Sequence, residues 1–110
     1  MLELKNLIID ELIRLDQFSS LNVNDYLQEL KQKKNSRDII EDGSLVLLDC
    51  NGQQAMYFMT ASHSAHMLSI HEKVVMLVTP FSALGMQLIG KTVKDHFKIQ
   101  HREYQIIDIF

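Results

Sequence analysis

With 110 residues, 46% of them hydrophobic, and a mean hydropathy near zero, the chain has material for one core and a short appendage and is too apolar for intrinsic disorder. Its net charge of −3 sits in the first part: residues 1–42 hold six Lys/Arg against nine Asp/Glu, whereas residues 43–110 hold five of each. Neither part has the basic excess with which proteins displace counterions from a phosphate backbone, which argues against direct sequence-specific binding of nucleic acid.

Leu4, Ile8, Leu12 and Leu15 recur at spacings of four, four and three, and Leu7 and Ile13 widen the stripe, so the pattern predicts a helix over about residues 2–17. The acids inside MLELKNLIIDEL argue against a signal peptide. No apolar run approaches the ~20 residues of a membrane span. A cytoplasmic protein that stays off membranes is therefore expected. Phe18–Asn22 breaks the helical pattern, and Asn22 or Asn24 is placed to cap a second helix. That helix has Val23, Tyr26, Leu27 and Leu30 on its apolar face and ends near Lys34. Two short helices with a tight link read as a helical hairpin. The basic run Lys31, Lys33, Lys34 and Arg37 suits a solvated helix end, where the dipole favours cations. The stripe Leu4/Ile8/Leu12/Leu15 is broad for one short partner helix, which makes a homodimer through these N-terminal helices an alternative expectation: a self-associating structural or adaptor module.

Asn35–Asp38 is a polar connector, and the sequence changes character after it, dividing a helical segment, residues 1–36, from a β-rich one, residues 42–110. Ser44–Cys50 and Gln54–Ala61 flank Asn51-Gly52, the residue pair of a type I′ hairpin turn. Cys50, the single cysteine, reads as a packed strand residue and excludes both an intrachain disulfide and a cysteine-based metal site. The polar stretch Ser62–His71 has room for a short strand at Met67–Ile70. Val74–Thr79 reads as a central strand ended by Pro80. Ser82 is placed to cap a short helix over Ala83–Ile89 that Gly90 closes. Phe97–Gln100 and Tyr104–Ile109 complete the chain. In the last strand Tyr104/Ile106 and Ile107/Ile109 fall on opposite faces, which calls for a bulge or burial on both sides. The expected fold class is α+β: a short helical hairpin, then a small curved sheet, mostly antiparallel, with one short helix.

Among chemistry-bearing residues, His63, His66 and His71 lack a metal-site spacing, and Ser62 and Ser82 lack a nucleophile motif. Asp16 and Asp25 flank the inter-helix link and read as solvated helix-end carboxylates. Met56, Met59, Met67, Met76 and Met86 read as gap-fillers of a core, with a methionine-rich partner surface as the lesser reading. No metal or cofactor is expected.

The run Val75–Asp95 carries a resemblance. A strand leads into Ser82, Leu84 and Gly85, then into the aliphatic pair Leu88-Ile89, the turn Gly90-Lys91, and Val93 and Asp95. This order and spacing resembles the C-terminal signature of the Gre family of bacterial transcript-cleavage factors. Glu103–Ile109 is similar to that family's closing strand, and Gly43–Val46 with the Asn-Gly hairpin to its opening. The resemblance spans roughly Asp42 to Phe110. It implies an FKBP-like domain without enzymatic activity whose surface loop, here Phe81, Ser82, Ala83 and Leu84, grips RNA polymerase near the rim of its secondary channel. The chain departs from the signature at Ala83, where the family has proline, at Phe81, where it has a polar or acidic residue, and at Lys94, where it has glycine. Full-length Gre factors also insert a long helical hairpin whose acidic tip helps hold a catalytic metal, as carboxylates do for hard cations. A first helix of about 16 residues spans about 24 Å, which is short for that task, so the resemblance implies a polymerase-binding relative that does not stimulate transcript cleavage. Fold likeness to FKBP-type prolyl isomerases is a poor warrant for that activity, which needs an aromatic-lined pocket; the chain has no tryptophan and 7% aromatic residues.

Overall fold

The computed structural model describes residues 2–15, 21–62 and 67–110. Helix α1 (Leu2–Leu15) and helix α2 (Leu21–Gln32) precede strands β1 (Leu45–Cys50), β2 (Gln53–Met59), β3 (Met67–Ile70) and β4 (Lys73–Val78). The short helix α3 (Ala83–Leu88) and strands β5 (His96–Ile99) and β6 (Arg102–Ile109) follow. The strands form one sheet in the order β3-β4-β2-β1-β6-β5. Among the described residues no helix is long and apolar enough to cross a membrane.

The α+β class and the mostly antiparallel sheet are as the sequence predicts, and one strand pair is parallel. Strands β2 and β4 run parallel, with Tyr57 opposite Met76 and Phe58 opposite Leu77. The cause is a second tight turn. His71 (φ 49°) and Glu72 (φ 67°) both take left-handed backbone and fold β3 back along β4. The more apolar β4 then inserts beside β2, and the short, partly polar β3 is left at the edge. The predicted hairpin forms as expected: Asn51 (φ 53°) and Gly52 (φ 90°) join β1 to β2, and Gly52 N–H donates to Asp49 Oδ1 at 2.8 Å. The two-faced pattern of the last strand resolves as a bulge. Leu47 pairs with Asp108 and Leu48 with Ile106, which leaves Ile107 without a partner across β1. The extra residue returns Ile109 to the face that already holds Tyr104 and Ile106.

Each sheet face has its own apolar cluster. On one, Leu4, Ile8, Leu12, Leu27 and Leu30 of the helices meet Leu45, Phe58, Leu68, Ile70, Val75 and Leu77. The helices of the 1–36 segment and the strands of the 42–110 segment thus bury one common core. Full burial of an aliphatic side chain of this size stabilises by about 1.5–3 kcal/mol. The stripe that motivates self-association is therefore mostly covered within the chain: Ile8 and Leu12 are fully buried, and Leu15, 50% exposed, projects beyond the cover. Leu27 and the sheet face supply the area that a lone second helix lacks. The other face holds Ile40, Val46, Leu48, Met59, Val78, Leu88, Tyr104, Ile106 and Ile109, with α3 lying across the strand ends.

Polar ties fix the hairpin to the sheet. The Tyr26 hydroxyl donates to the Asp42 carboxylate, 2.6 Å from each oxygen, and accepts from Ala61 N–H at 2.9 Å. Lys5 is buried, and its Nζ donates to the Phe110 main-chain oxygen at 3.0 Å. Burial, ahead of the opposing attraction of Glu41, lowers its pKa. Lys31 pairs with Asp10 at 2.6 Å, so the basic run is partly anchored, while Lys34 and Arg37 are exposed. Helix α2 starts at Leu21, which places Asn24 inside the helix rather than at its cap. Its Oδ1 finds no hydrogen-bond donor among the described residues.

Candidate functional site

The corner after β4 is built by three residues with separate tasks. Strand β4 ends at Val78, and the chain turns at Thr79 and Pro80. The buried Thr79 accepts from Phe81 N–H through Oγ1 at 3.3 Å, and its carbonyl accepts from Ser82 Oγ–H at 2.9 Å. Ser82 has extended backbone (φ −78°, ψ 164°), and its Oγ also accepts from Gly85 N–H at 3.0 Å. It is the N-cap of α3, satisfying one of the first-turn N–H groups that a helix leaves open. Gly85 is required by contact rather than by dihedral angle. A Cβ there would lie 1.7 Å from the Thr79 carbonyl oxygen. Helix and strand end therefore touch backbone to backbone, and the corner has one shape.

The far end of α3 is held as firmly. Gly90 (φ 82°) follows the C-cap Ile89. Gly90 N–H donates to the Ile40 carbonyl at 2.8 Å, and Ile40 N–H donates to the Lys91 carbonyl at 2.9 Å. This pair straps the connector before β1 to the exit of α3, with Ile40 buried and Ile39 left 41% exposed. In the next turn Asp95 accepts from Thr92 N–H at 2.8 Å and from Thr92 Oγ1 at 3.2 Å. The backbone bond from Thr92 is the main reason its carboxyl lies below the usual range. Lys94 stands at φ 76°, in the left-handed region that glycine tolerates at least cost. Lys91 Nζ sits 5.6 Å from the centre of the Phe97 ring, which stacks on Tyr104 at 5.1 Å.

The four residues singled out by sequence separate into different roles. Phe81 is 78% exposed at the tip of the corner. Ala83 is exposed on the first turn of α3. Ser82 is engaged on both sides by the corner itself, and Leu84 is half-buried against the cluster under α3. Exposed apolar residues outside these four complete the surface: Met86 (68%), Ile89 (42%) and Val93 (36%). Met86 and Ile89 are three apart and share a helix side. The signal was available in the spacing. Phe81 and Met86 occupy the positions just before the cap and four into the helix, a pair that commonly packs together at helix starts. Here both stay mostly in water. Of the methionines read as core, Met59 is buried, but Met67 and Met86 are about two-thirds exposed.

Other candidates do not converge on this corner. His71, His96 and His101 are exposed, the first and last in turns and His96 at the start of β5, and His63 and His66 lie outside the described residues. Asp25 is exposed on α2, and Asp16 lies outside the described residues. On the other half of the α3 face, Tyr57, Tyr104, Cys50 and Arg102 line an open groove of about 500 Å³. Its remaining wall is mostly amide side chains, and burial raises the Tyr57 pKa.

No protein-family model matches the chain, and no curated protein sequence matches it. Solved structures do. The crystal structure of GreA factor homolog 1 (Gfh1) of Thermus thermophilus aligns over 99% of this chain and 89% of its own, with a TM-score of 0.51 and 17% identity. A structure described as the transcription factor Gfh1 aligns over 98% of this chain and 83% of its own, with a TM-score of 0.52 and 18% identity. The alignments take in the helical hairpin as well as the sheet. At such identity the likeness is one of architecture, and that architecture is the Gre-type factor fold.

Proposed function

We propose that this chain is a non-enzymatic transcription regulator that docks on RNA polymerase near its secondary channel through the corner at Phe81, Ser82, Ala83 and Leu84, without stimulating transcript cleavage. The observation that carries the reading is Phe81. A large aromatic residue, 78% exposed, stands on a turn whose shape is fixed by Ser82 and Gly85, where the Gre signature places its partner-gripping loop. Holding an aromatic anchor rigid lowers the ordering cost of binding. The corner lies at the surface, as this role needs. The likeness to a transcription factor of the same fold supports the reading.

Reach supports the expectation that cleavage is not stimulated. Helix α2 has 12 residues, or about 18 Å at 1.5 Å per residue, and non-helical backbone follows from Lys33. That arm is short for carrying carboxylates deep into a channel. Such a protein would occupy the docking site and compete with other channel-binding factors.

Binding to core RNA polymerase, measured by titration of the labelled chain, is the test. Micromolar or tighter association is expected, and Phe81→Ala should cost about 1–3 kcal/mol of it. No association at micromolar concentration would end the proposal. In a cleavage assay on stalled complexes the chain should leave the transcript intact and slow cleavage by an added cleavage factor.

A further inference from the structure

We infer that the docking surface runs beyond the corner, along α3 to Ile39 on the strapped connector, and that the partner surface it fits is an apolar ridge edged with carboxylates. This inference rests on the polymerase-docking reading and specifies the chemistry of the same site. Phe81, Met86, Ile89 and Val93 are exposed on the turn, the helix and its exit. The backbone pair between Ile40 and Gly90/Lys91 brings the connector alongside that exit, so Ile39 belongs to the same surface although it lies more than forty positions before Phe81 in the chain. Ile40 fills the core and Ile39, its neighbour, faces out.

Charge fixes the kind of partner. The chain is acidic as a whole, yet the stretch from Lys73 to Lys94 contains no Asp or Glu. Lys91 and Lys94 edge the patch at its exit, and Lys94 is exposed with no ion pair among the described residues. Of the acids flanking these segments, Asp95 turns its carboxylate to Thr92, and Asp38 is exposed next to Arg37. An apolar centre with a cationic edge selects a complementary apolar ridge with carboxylates beside it. Such an edge acts chiefly on the association rate and its salt dependence.

Titration of core RNA polymerase with the full chain and five single variants, Phe81→Ala among them, tests this. Ile39→Ala and Met86→Ala should each weaken binding by about three- to tenfold. Lys94→Glu should slow association about fivefold and flatten its dependence on salt. Met67→Ala, on the edge strand β3, should bind as the unmodified chain does. Thermal melts should place every variant within a few degrees of the parent. If the unmodified chain does not bind polymerase, the docking reading falls and this inference with it. If the chain binds and Phe81→Ala weakens it while Ile39→Ala, Met86→Ala and Lys94→Glu behave as the parent, docking stands and the extended, cation-edged surface is wrong. Sedimentation showing a stable dimer of the chain that Ile39→Asp dissolves would also overturn it, because the patch would then be covered by a second copy.

Discussion

The helices on the two sides of the sheet use their apolar residues in opposite ways. On the hairpin side Leu4, Ile8, Leu12, Leu27 and Leu30 are all under 10% exposed, sunk against Phe58, Val75 and Leu77. On the α3 side Leu88 and half of Leu84 reach the core, while Phe81, Met86 and Ile89 point to water. Amphipathic spacing in sequence is the same kind of signal in both places. Length decides the outcome. A 14-residue helix with a 12-residue partner has enough surface to cover a sheet face. A six-residue helix has less surface to bury, and Met86 and Ile89 are left 68% and 42% exposed. The first side holds the fold together, and the second is available to a partner.

Substitutions that test this contrast begin in the hairpin core. Leu12 is fully buried with no charged group provided for, so Leu12→Asp should cost about 4 kcal/mol or more and leave the chain largely unfolded in urea titration. Were the variant instead folded and merely converted from dimer to monomer, the stripe would be an interface between chains and the contrast would fail. Gly85→Ala comes next. The new Cβ would meet the Thr79 carbonyl at 1.7 Å, and neither backbone is free to retreat. A loss of about 3 kcal/mol is expected. Phe81→Ala, four residues earlier, should change stability by less than about 0.5 kcal/mol, because a residue 78% exposed contributes little to the core. Equal losses at Phe81 and Gly85 would mean that the corner tip belongs to the fold after all.

Tyr26 joins the hairpin to the sheet and predicts an effect below that of Gly85, with a pH signature. Burial, followed by the hydrogen bond to Asp42, pushes its phenol up to about 12. A folded pKa above the unfolded value of about 10 means that the folded state holds the proton longer. The stabilisation is complete below pH 10 and is lost as pH rises from there toward 12. Lys5 acts with the opposite sign: its lowered pKa means that the unfolded chain binds the proton more tightly, so stability rises with pH up to about 10.5. Tyr26→Phe should cost about 2 kcal/mol at neutral pH, since it strips donors or acceptors from Asp42 and Ala61. It should also reduce the decline above pH 10 in denaturation midpoints, leaving the part that Tyr57, whose pKa burial also raises, contributes. An unchanged alkaline limb would show that Tyr26 is not the tie.

Much of this architecture could be read from local chemistry. Asn51-Gly52 names its turn, the Leu4/Ile8/Leu12 period names its helix, and Ser82 names its cap. The opposed pairs around Ile107 announced an irregular strand, and the bulge sits there. What escaped depends on contacts distant in sequence. His71-Glu72 carries no glycine or asparagine, so nothing local marks the second tight turn or the parallel pairing that follows from it. Within the candidate site, the surface role of Phe81 was legible as a question of exposure that only packing answers. Ile39 could not be found at all, because it joins the patch through backbone bonds between Ile40 and the exit of α3.

A gain rather than a loss is expected at Lys94, where sequence and structure meet most directly. The Gre signature has glycine at this place in the turn, and here a lysine is held at φ 76°. A side chain in left-handed backbone costs about 1–2 kcal/mol, part of which glycine returns as extra freedom of the unfolded chain. Lys94→Gly should therefore raise stability by up to about 1 kcal/mol, seen as a shift of the urea midpoint at unchanged slope. The same change removes an exposed cation from the edge of the α3 patch, so a gain in stability should come with slower association to a carboxylate-edged partner. A residue that strains its own turn yet speeds docking would explain why lysine stands where glycine fits better. A variant more stable and equally fast to bind would leave the lysine without that explanation and place the cationic edge elsewhere.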